Sequence, residues 1–253
     1  MNEITTNPKY YEIAFSFRDI VAEVDFLEQV IKRHSHIPVS TVLELGCGHA
    51  PHLAELTHRK FQYIGLDLSE AMLEYAQNRA DAINASARFE LADMTDFELI
   101  KQVDFVFVLL GSLQARNTAT LVSHFDSVGR ALKHGGLYFL DWCVVFVPSK
   151  GSIDSWEMVR DQVKVKATIQ TNLIDPVEQI FEESLTLEVV DESAKKIFRE
   201  TSEMRKIYPQ EFLRFIEARK DFEFVGWWNN WDLTQPLDEV QKISRPIAIL
   251  RRV

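Results

Sequence analysis

Two glycines and two acids, set at fixed distances, constrain this chain more than any other feature. The apolar run Val42-Leu43-Glu44-Leu45 ends at Gly46-Cys47-Gly48-His49-Ala50, and a second run, Gly65-Leu66-Asp67-Leu68-Ser69, places another acid 21 positions after Gly46. A strand, a tight turn, a helix and a second strand fit that spacing. Glycine adopts left-handed backbone without side-chain obstruction, so the turn can bend sharply and come close to a ligand. An acid at the end of the second strand of such a unit sits where a ribose diol is bound.

The same grammar continues along the chain. Apolar residues at Ile13, Phe17, Ile20, Val24, Leu27 and Ile31 recur near a period of 3.6 and predict one or two helices over residues 9–34. Strands are expected at Thr41–Leu45, Phe61–Leu66, Ala87–Leu91, Val103–Leu110 and Leu137–Val147. Helices are expected from Pro51, from Ser69 as N-cap, and over Thr118–Leu132. Val103–Leu110 is almost continuously apolar, as a strand covered on both faces must be. Strand alternating with helix predicts an α/β fold, a Rossmann-like doubly wound, mostly parallel sheet. Between residues 155 and 208 the pattern changes to three alternating segments, Glu157–Gln170, Val177–Val190 and Ile197–Tyr208, expected as an antiparallel insertion after the fifth strand. A helix from Pro209 and strands at Phe222–Trp228 and Ile243–Arg251 then complete a sheet of seven.

Composition removes several function classes. The net charge is −10 and the pI near 5.2, a field that repels nucleic acid. The two cysteines, Cys47 and Cys143, have no C-x-x-C partner, so no structural zinc, other metal or disulfide framework is expected. The polar start with Glu3 does not read as a signal peptide, and no apolar run reaches membrane-spanning length, so a cytoplasmic protein without a membrane partner is expected.

The turn also discriminates between ligands. A dinucleotide site has a third glycine where this chain has Pro51, and Glu44 would repel a pyrophosphate, so a nicotinamide dehydrogenase fails on both residues. No G-K-[ST] follows the glycines, which removes a phosphate-cradling loop. An acid before the turn suits a ligand carrying positive charge. S-adenosylmethionine carries an ammonium and a sulfonium and no phosphate.

On these residues the chain resembles the class I S-adenosylmethionine-dependent methyltransferase family. Glu44-Leu-Gly46-Cys-Gly48-His-Ala50 looks like its first motif, Gly65-Leu-Asp67-Leu-Ser69-Glu-Ala-Met72-Leu73 its second, Leu91-Ala-Asp93-Met94 its third, and Leu132-Lys-His-Gly135-Gly136 its L-K-P-G-G. Ala50 and His134 depart from the pattern. The resemblance implies a helical lid and cofactor-binding half over 1–150, a β insertion capping the substrate over 151–208, and the rest of the Rossmann-like domain over 209–253.

The resemblance also implies roles. Glu44 and the Gly46, Cys47 and Gly48 backbone would hold the methionine end. Asp67 would take the ribose hydroxyls, with Leu68 beside the adenine and Met72 in the same motif. Asp93 would meet the adenine amino group, Met94 its ring edge, and Leu110 would lie near the sulfonium. Tyr10-Tyr11-Glu-Ile-Ala-Phe15-Ser-Phe17-Arg18 resembles the lid of small-molecule members, with Tyr11 and Arg18 reaching the methionine carboxylate. Tyr10, Ser112, Gln114 and Trp142 are expected at the acceptor, Trp228 and Trp231 in its wall or in the core. His49 and His52, flanking the turn, are expected as exposed loop residues, and His124 as structural.

The insertion is similar to that of glycine, sarcosine and amino-sugar N-methyltransferases, which points to a small-molecule amine, with O- and C-methylation still open. The partners expected are that acceptor and, at most, a second copy of the chain in a homodimer. No catalytic residue is assigned. A protein that keeps the cofactor pocket as an interaction module, without chemistry, is the other class that fits.

Overall fold

The structure is a computed structural model. It describes residues 4–147, 149–192 and 194–253; Met1 to Glu3, and with them the Glu3 of the sequence reading, lie outside the described residues, as do Pro148 and Ser193. The main sheet has the order β3-β2-β1-β4-β5-β12-β10-β11. β1 (Thr41–Leu45), β2 (Gln62–Asp67), β3 (Ala87–Leu91), β4 (Val103–Val108) and β5 (Leu132–Asp141) run parallel. β10 (Phe222–Asn229), β11 (Asp232–Pro236) and β12 (Pro246–Arg252) are antiparallel. The strand order reverses between β1 and β4, and in such sheets a ligand crevice opens at the carboxyl ends of the strands at that point.

Every residue of β4 is buried, because helices cover both faces. On one face lie α2 (Ile20–His34), α3 (Leu53–His58) and α4 (Glu70–Ala82), which bury Val24, Leu27, Leu53, Leu56, Ala76 and Ala80. On the other, α5 (Thr118–Ala131) and α6 (Pro209–Arg219) bury Leu121, Phe125, Phe212 and Ile216. Ser69 caps α4 by accepting from the Met72 backbone N–H, and α6 opens on Pro209.

The sheet has eight strands where the sequence predicts seven. The extra one, β11, is a short hairpin return joined through Asn230 and Trp231, both at positive φ. The insertion has four strands where three are expected: β6 (Gly151–Arg160), β7 (Val163–Asp175), β8 (Ile180–Asp191) and β9 (Ala194–Arg205), paired in sequence order. The expected segment Glu157–Gln170 contains a two-residue reversal at Asp161 (φ +48°) and Gln162 (φ +67°). Paired left-handed residues make the turn that suits hairpin twist, but Asp-Gln lacks the Asn-Gly signature that announces it.

The N-terminal helix α1 (Pro8–Ala14) lies against the insertion. Ile4, Tyr10, Ile13 and Ala14 bury with Val163, Val165, Ala167, Leu187 and Val189. The Trp156 indole N–H donates to the Ala14 carbonyl at 2.6 Å, and Arg160 to Glu12 at 2.8 Å. Glu12 also meets Tyr75 (2.6 Å) and Arg79 (3.2 Å) on α4. One short helix therefore bridges the main domain and the inserted sheet. Among the described residues, no helix is long and apolar enough to cross a membrane.

Candidate active site

The glycine turn is left-handed at Gly46 (φ +65°), Gly48 (φ +51°) and Ala50 (φ +49°). A Cβ at Gly48 would meet nothing within 4 Å, so the backbone faces open space there. At Gly46 a Cβ would lie 2.9 Å from Met94 Cε and 3.5 Å from Ser112 Cβ. The first motif, the third motif and the loop after β4 thus converge on one point.

Asp67, at the end of β2, organises the turn. Its Oδ2 accepts from the Gly48 N–H at 2.8 Å and its Oδ1 from the Ser69 N–H at 2.9 Å. Each oxygen keeps a lone pair for a hydroxyl donor. Burial raises its pKa, against the backbone N–H groups that stabilise the anion. Next to it Leu68 is 69 % exposed, and Leu91, at the end of β3, is 60 % exposed. Two apolar side chains in the open beside two strand ends form a wall suited to a flat ring. Leu91 was not among the expected site residues; its exposure inside a strand of the sheet is the signal, and only structure reveals it. Asp93 is exposed beyond this wall and accepts from the Thr95 N–H and hydroxyl at 2.8 Å each.

Glu44, 4 % exposed, accepts from the Tyr63 hydroxyl at 2.6 Å and contacts His52 Nδ1 at 2.8 Å. His52 Nε2 lies 2.9 Å from Glu23 Oε2. The Arg18 guanidinium grips Glu23 through Nε (3.1 Å) and Nη2, and Nη2 lies 3.1 Å from His52 Nε2. Arg18 Nη1 has no hydrogen-bond partner among the described residues. Tyr11 packs on the turn, its ring 5.8 Å from His49 and 4.5 Å from Phe15. Burial pushes its hydroxyl up to about 12; Arg18 opposes, while Asp67, Glu200 and Glu183 add to the rise.

The ends of β4 and β5 form the remaining wall. Leu110 (φ +56°), Gly111 (φ +69°) and Trp142 (φ +62°) are all left-handed. Asp141, fully buried, fixes the first two: its Oδ2 accepts from the Leu110 N–H at 2.9 Å and its carbonyl from the Gly111 N–H at 3.0 Å, while the Trp142 N–H donates to the Pro246 carbonyl at 2.9 Å. Arg245 closes the carboxylate bidentately at 2.8 and 2.7 Å. Trp142 is 50 % exposed, with the Arg245 guanidinium 5.9 Å from its ring. Gln114 reaches the insertion, donating to Ser202 on β9 at 3.3 Å. Glu23, Asp141 and Arg245 were missed by sequence reasoning because no local motif carries them.

Three expectations are corrected. Tyr10 does not face the turn: one step along α1 from Tyr11, it buries against Phe198 and donates to Asp191 at 3.0 Å. Met72, 2 % exposed, is on the packed face of α4 and offers no surface to the cleft. Cys47 was expected through its backbone alone, and its thiol points under the turn, 2.7 Å from where a Cβ on Gly65 would be; burial pushes the thiol up. His49 and His52 are 6 % and 0 % exposed, not loop residues in water. His124 is structural as expected, buried between the Met94 carbonyl (2.7 Å) and the Tyr138 hydroxyl (2.6 Å). Trp228 packs on His34 in the core, and Trp231 lies under Arg245 at 4.9 Å. A cavity lined by Thr41, Gln62, Ala87 and Lys133 opens at the amino ends of the strands and holds none of these groups.

Comparison with known proteins identifies the segment that carries this geometry. A family model described as a methyltransferase domain matches residues 42–136. The matched segment holds Glu44, Asp67, Asp93, Leu110 and Ser112, whereas Tyr11, Arg18, Trp142 and the insertion lie outside it. A protein of Geobacillus sp. (strain WCH70) named for methyltransferase activity is 29 % identical over 46 % of this chain and 47 % of its own length, so the chain spans about half of that relative. Carboxy-S-adenosyl-L-methionine synthase from Campylobacter fetus subsp. fetus (strain 82-40) is 24 % identical over 70 % of this chain and 80 % of its own. Among solved structures, SAM-bound CalS10, an amino pentose methyltransferase from Micromonospora echinaspora, covers 96 % of both chains with a TM-score of 0.72 at 18 % identity, a likeness of fold.

Proposed function

We propose that this chain is an S-adenosylmethionine-dependent methyltransferase acting on a small-molecule acceptor, an amine foremost. The observation that carries the reading is the open left-handed turn at Gly46 and Gly48 with Asp67 bonded to its far end. Such a turn takes a nucleoside whose ribose meets the acid, and Glu44 behind it suits an amino acid tail rather than a pyrophosphate. The residues fit the cofactor: Asp67 for the diol, Leu68, Leu91 and Asp93 for the purine, Glu44 and the turn backbone for the ammonium, and Arg18 Nη1 with Tyr11 for the carboxylate.

When bound, the cofactor supplies an electrophilic methyl group on a sulfonium, displaced in line by the acceptor with S-adenosylhomocysteine left behind. In-line displacement asks for alignment and a dry site more than for a protein nucleophile. Leu110 and Gly111, pinned by Asp141, form with Ser112 and Trp142 the rigid wall that orients the acceptor. α1 and the inserted sheet exclude water from above. The net charge of −10 favours an amine that arrives as an ammonium, which gives up its proton to water before its lone pair attacks the methyl group. The SAM-bound amino pentose enzyme of the same fold supports an amine as the first class to screen.

Calorimetric titration with S-adenosylmethionine and S-adenosylhomocysteine tests the reading. Wild type is expected to bind both, and Asp67→Ala to weaken binding by at least about a hundredfold, the loss of a charge-assisted contact pair. Folded wild type that binds neither overturns the proposal. Binding of both without S-adenosylhomocysteine release across a panel of amines, alcohols and carbon acids would leave an interaction module.

A further inference from the structure

The expected role of Arg18 and Glu44 leaves unexplained what lies between them. His52 is fully buried, and both of its ring nitrogens face carboxylates: Nδ1 faces Glu44 Oε1 at 2.8 Å and Nε2 faces Glu23 Oε2 at 2.9 Å. A neutral imidazole has one N–H and one lone pair, so one of these contacts would set a lone pair against a carboxylate. An imidazolium donates to both. The charge balance agrees. Glu44 and Glu23 bring two negative charges, Arg18 brings one positive, and a buried charge without a counter-charge is strongly disfavoured. Arg245 is 3.9 Å from Glu23 but is already committed bidentately to Asp141.

We propose that His52 is a charged clamp: an imidazolium held by Glu44 on one side and Glu23 on the other, which keeps Glu44 and Arg18 where they meet the amino acid end of the cofactor. The inference rests on the cofactor reading above. His52 touches no reacting atom; it is a positioning residue. It joins the elements that bound the site: the end of the glycine turn before α3, β1 through Glu44, α2 through Glu23, and the α1–α2 connection through Arg18. Without the ring, Glu44 loses the partner opposite Tyr63, and Glu23 is free to draw Arg18 away from the turn.

The surroundings are consistent with the charge. Glu44 comes from β1, Glu23 from α2, Arg18 from the α1–α2 connection, Arg245 from the approach to β12, Tyr63 from β2 behind Glu44, and His49 from the turn itself. From β4 the face of the pocket is the Phe107 ring, 5.7 Å away and edge-on. Burial lowers the His52 pKa, but the Glu44 and Glu23 carboxylates outweigh burial and Arg18, and the net shift is upward. The competing arrangement is a ring protonated only at Nδ1, with Nε2 accepting from Arg18 Nη2 at 3.1 Å.

Two measurements decide between them. Nitrogen-15 spectra of histidine-labelled, ligand-free wild type, with His52 assigned through His52→Gln, are expected to show both ring nitrogens protonated at about pH 7, where an ordinary histidine is mostly neutral. A single protonated nitrogen overturns the clamp. S-adenosylhomocysteine affinity is then measured against pH in wild type and His52→Gln, with folding checked by circular dichroism. Wild type is expected to lose affinity as pH rises through the His52 titration. The variant, which carries no proton there, should bind at least about tenfold more weakly at neutral pH and show no such step. A variant with the wild-type affinity and pH profile overturns the proposal. If His52→Gln does not fold, the His52 ring is assigned by through-bond correlation from its own backbone, and the wild-type spectrum and the wild-type pH profile still decide. Wild type that binds no S-adenosylhomocysteine overturns the cofactor reading and with it the purpose of the clamp, whereas binding with His52 neutral overturns the clamp alone.

Discussion

Gly65 is a residue whose identity is set by what lies against it rather than by its own backbone. A Cβ there would sit 2.7 Å from Cys47 Sγ and 3.0 Å from the Phe89 ring. Gly65→Ala should therefore destabilise the fold by about 1–3 kcal/mol through overpacking. Because the nearest clash is with the thiol, Cys47→Ala in the same chain should recover part of that loss, a positive coupling read from denaturant midpoints in a double-mutant cycle. At this scale the sequence was legible wherever chemistry is local. Gly46, Gly48 and Asp67 interact within one strand–turn–helix unit, and their spacing suffices to place them. Tyr10 and Tyr11 were not separable, because neighbouring helical residues point about 100° apart and only the docking of α1 decides which of the two meets the turn. Glu23 and Arg245 were invisible for another reason: they lie 29 positions before His52 and 104 after Asp141 in the chain, with no motif between.

Among elements, α1 is the one whose position depends most on others. It has 7 residues, too few to be stable alone, and its order comes from contacts on both sides. Trp156 supplies the most central of them, a bond to the Ala14 carbonyl together with rings packed on Phe15 and Phe17. Trp156→Ala should free α1 from the insertion while leaving the main sheet intact. Limited proteolysis is expected to cut the connection between α1 and α2 faster in the variant by about tenfold or more, as a loss of roughly 2 kcal/mol of local stability implies; unchanged cleavage would mean that the remaining contacts to α4 and the insertion hold the helix without Trp156. The elements of the parallel sheet were readable because strand and helix alternate with distinct periods. The hairpins at Asp161-Gln162 and Asn230-Trp231 were not, because non-glycine residues occupy left-handed positions there and leave no turn signature.

For the molecule as a whole, buried titrating groups set the pH range. His49 and His124 are pushed down by burial, to about 3 and about 4, and stay neutral in the fold. Unfolded histidine takes up its proton near pH 6.5, so below that pH the unfolded state holds more protons and stability falls, until pH drops past the folded values. Glu23 is depressed to about 2: burial raises it, but His52 and Arg18 prevail. Its contribution is full above the unfolded carboxylate value and is lost as pH falls toward 2. His52 has the opposite sign. Its folded value is raised, so its contribution is full below about pH 6.5 and disappears as pH climbs through that raised value. Melting temperature against pH should form a dome, with an acid limb made shallower by His124→Gln and an alkaline limb made shallower by His52→Gln. A flat profile between pH 4 and 6.5 would contradict the neutral burial of both histidines.

The bridging position of α1 has a kinetic consequence. A ligand seated on the glycine turn lies beneath Tyr11, and α1 is tied down on one side by Tyr75 and Arg79 and on the other by Arg160, Trp156 and Asp191. Arrival and departure then require those ties to open together. On the proposed function, residence time at the turn would be a property of a two-turn latch, and the pace of repeated cycles would belong to the latch rather than to the bond being made.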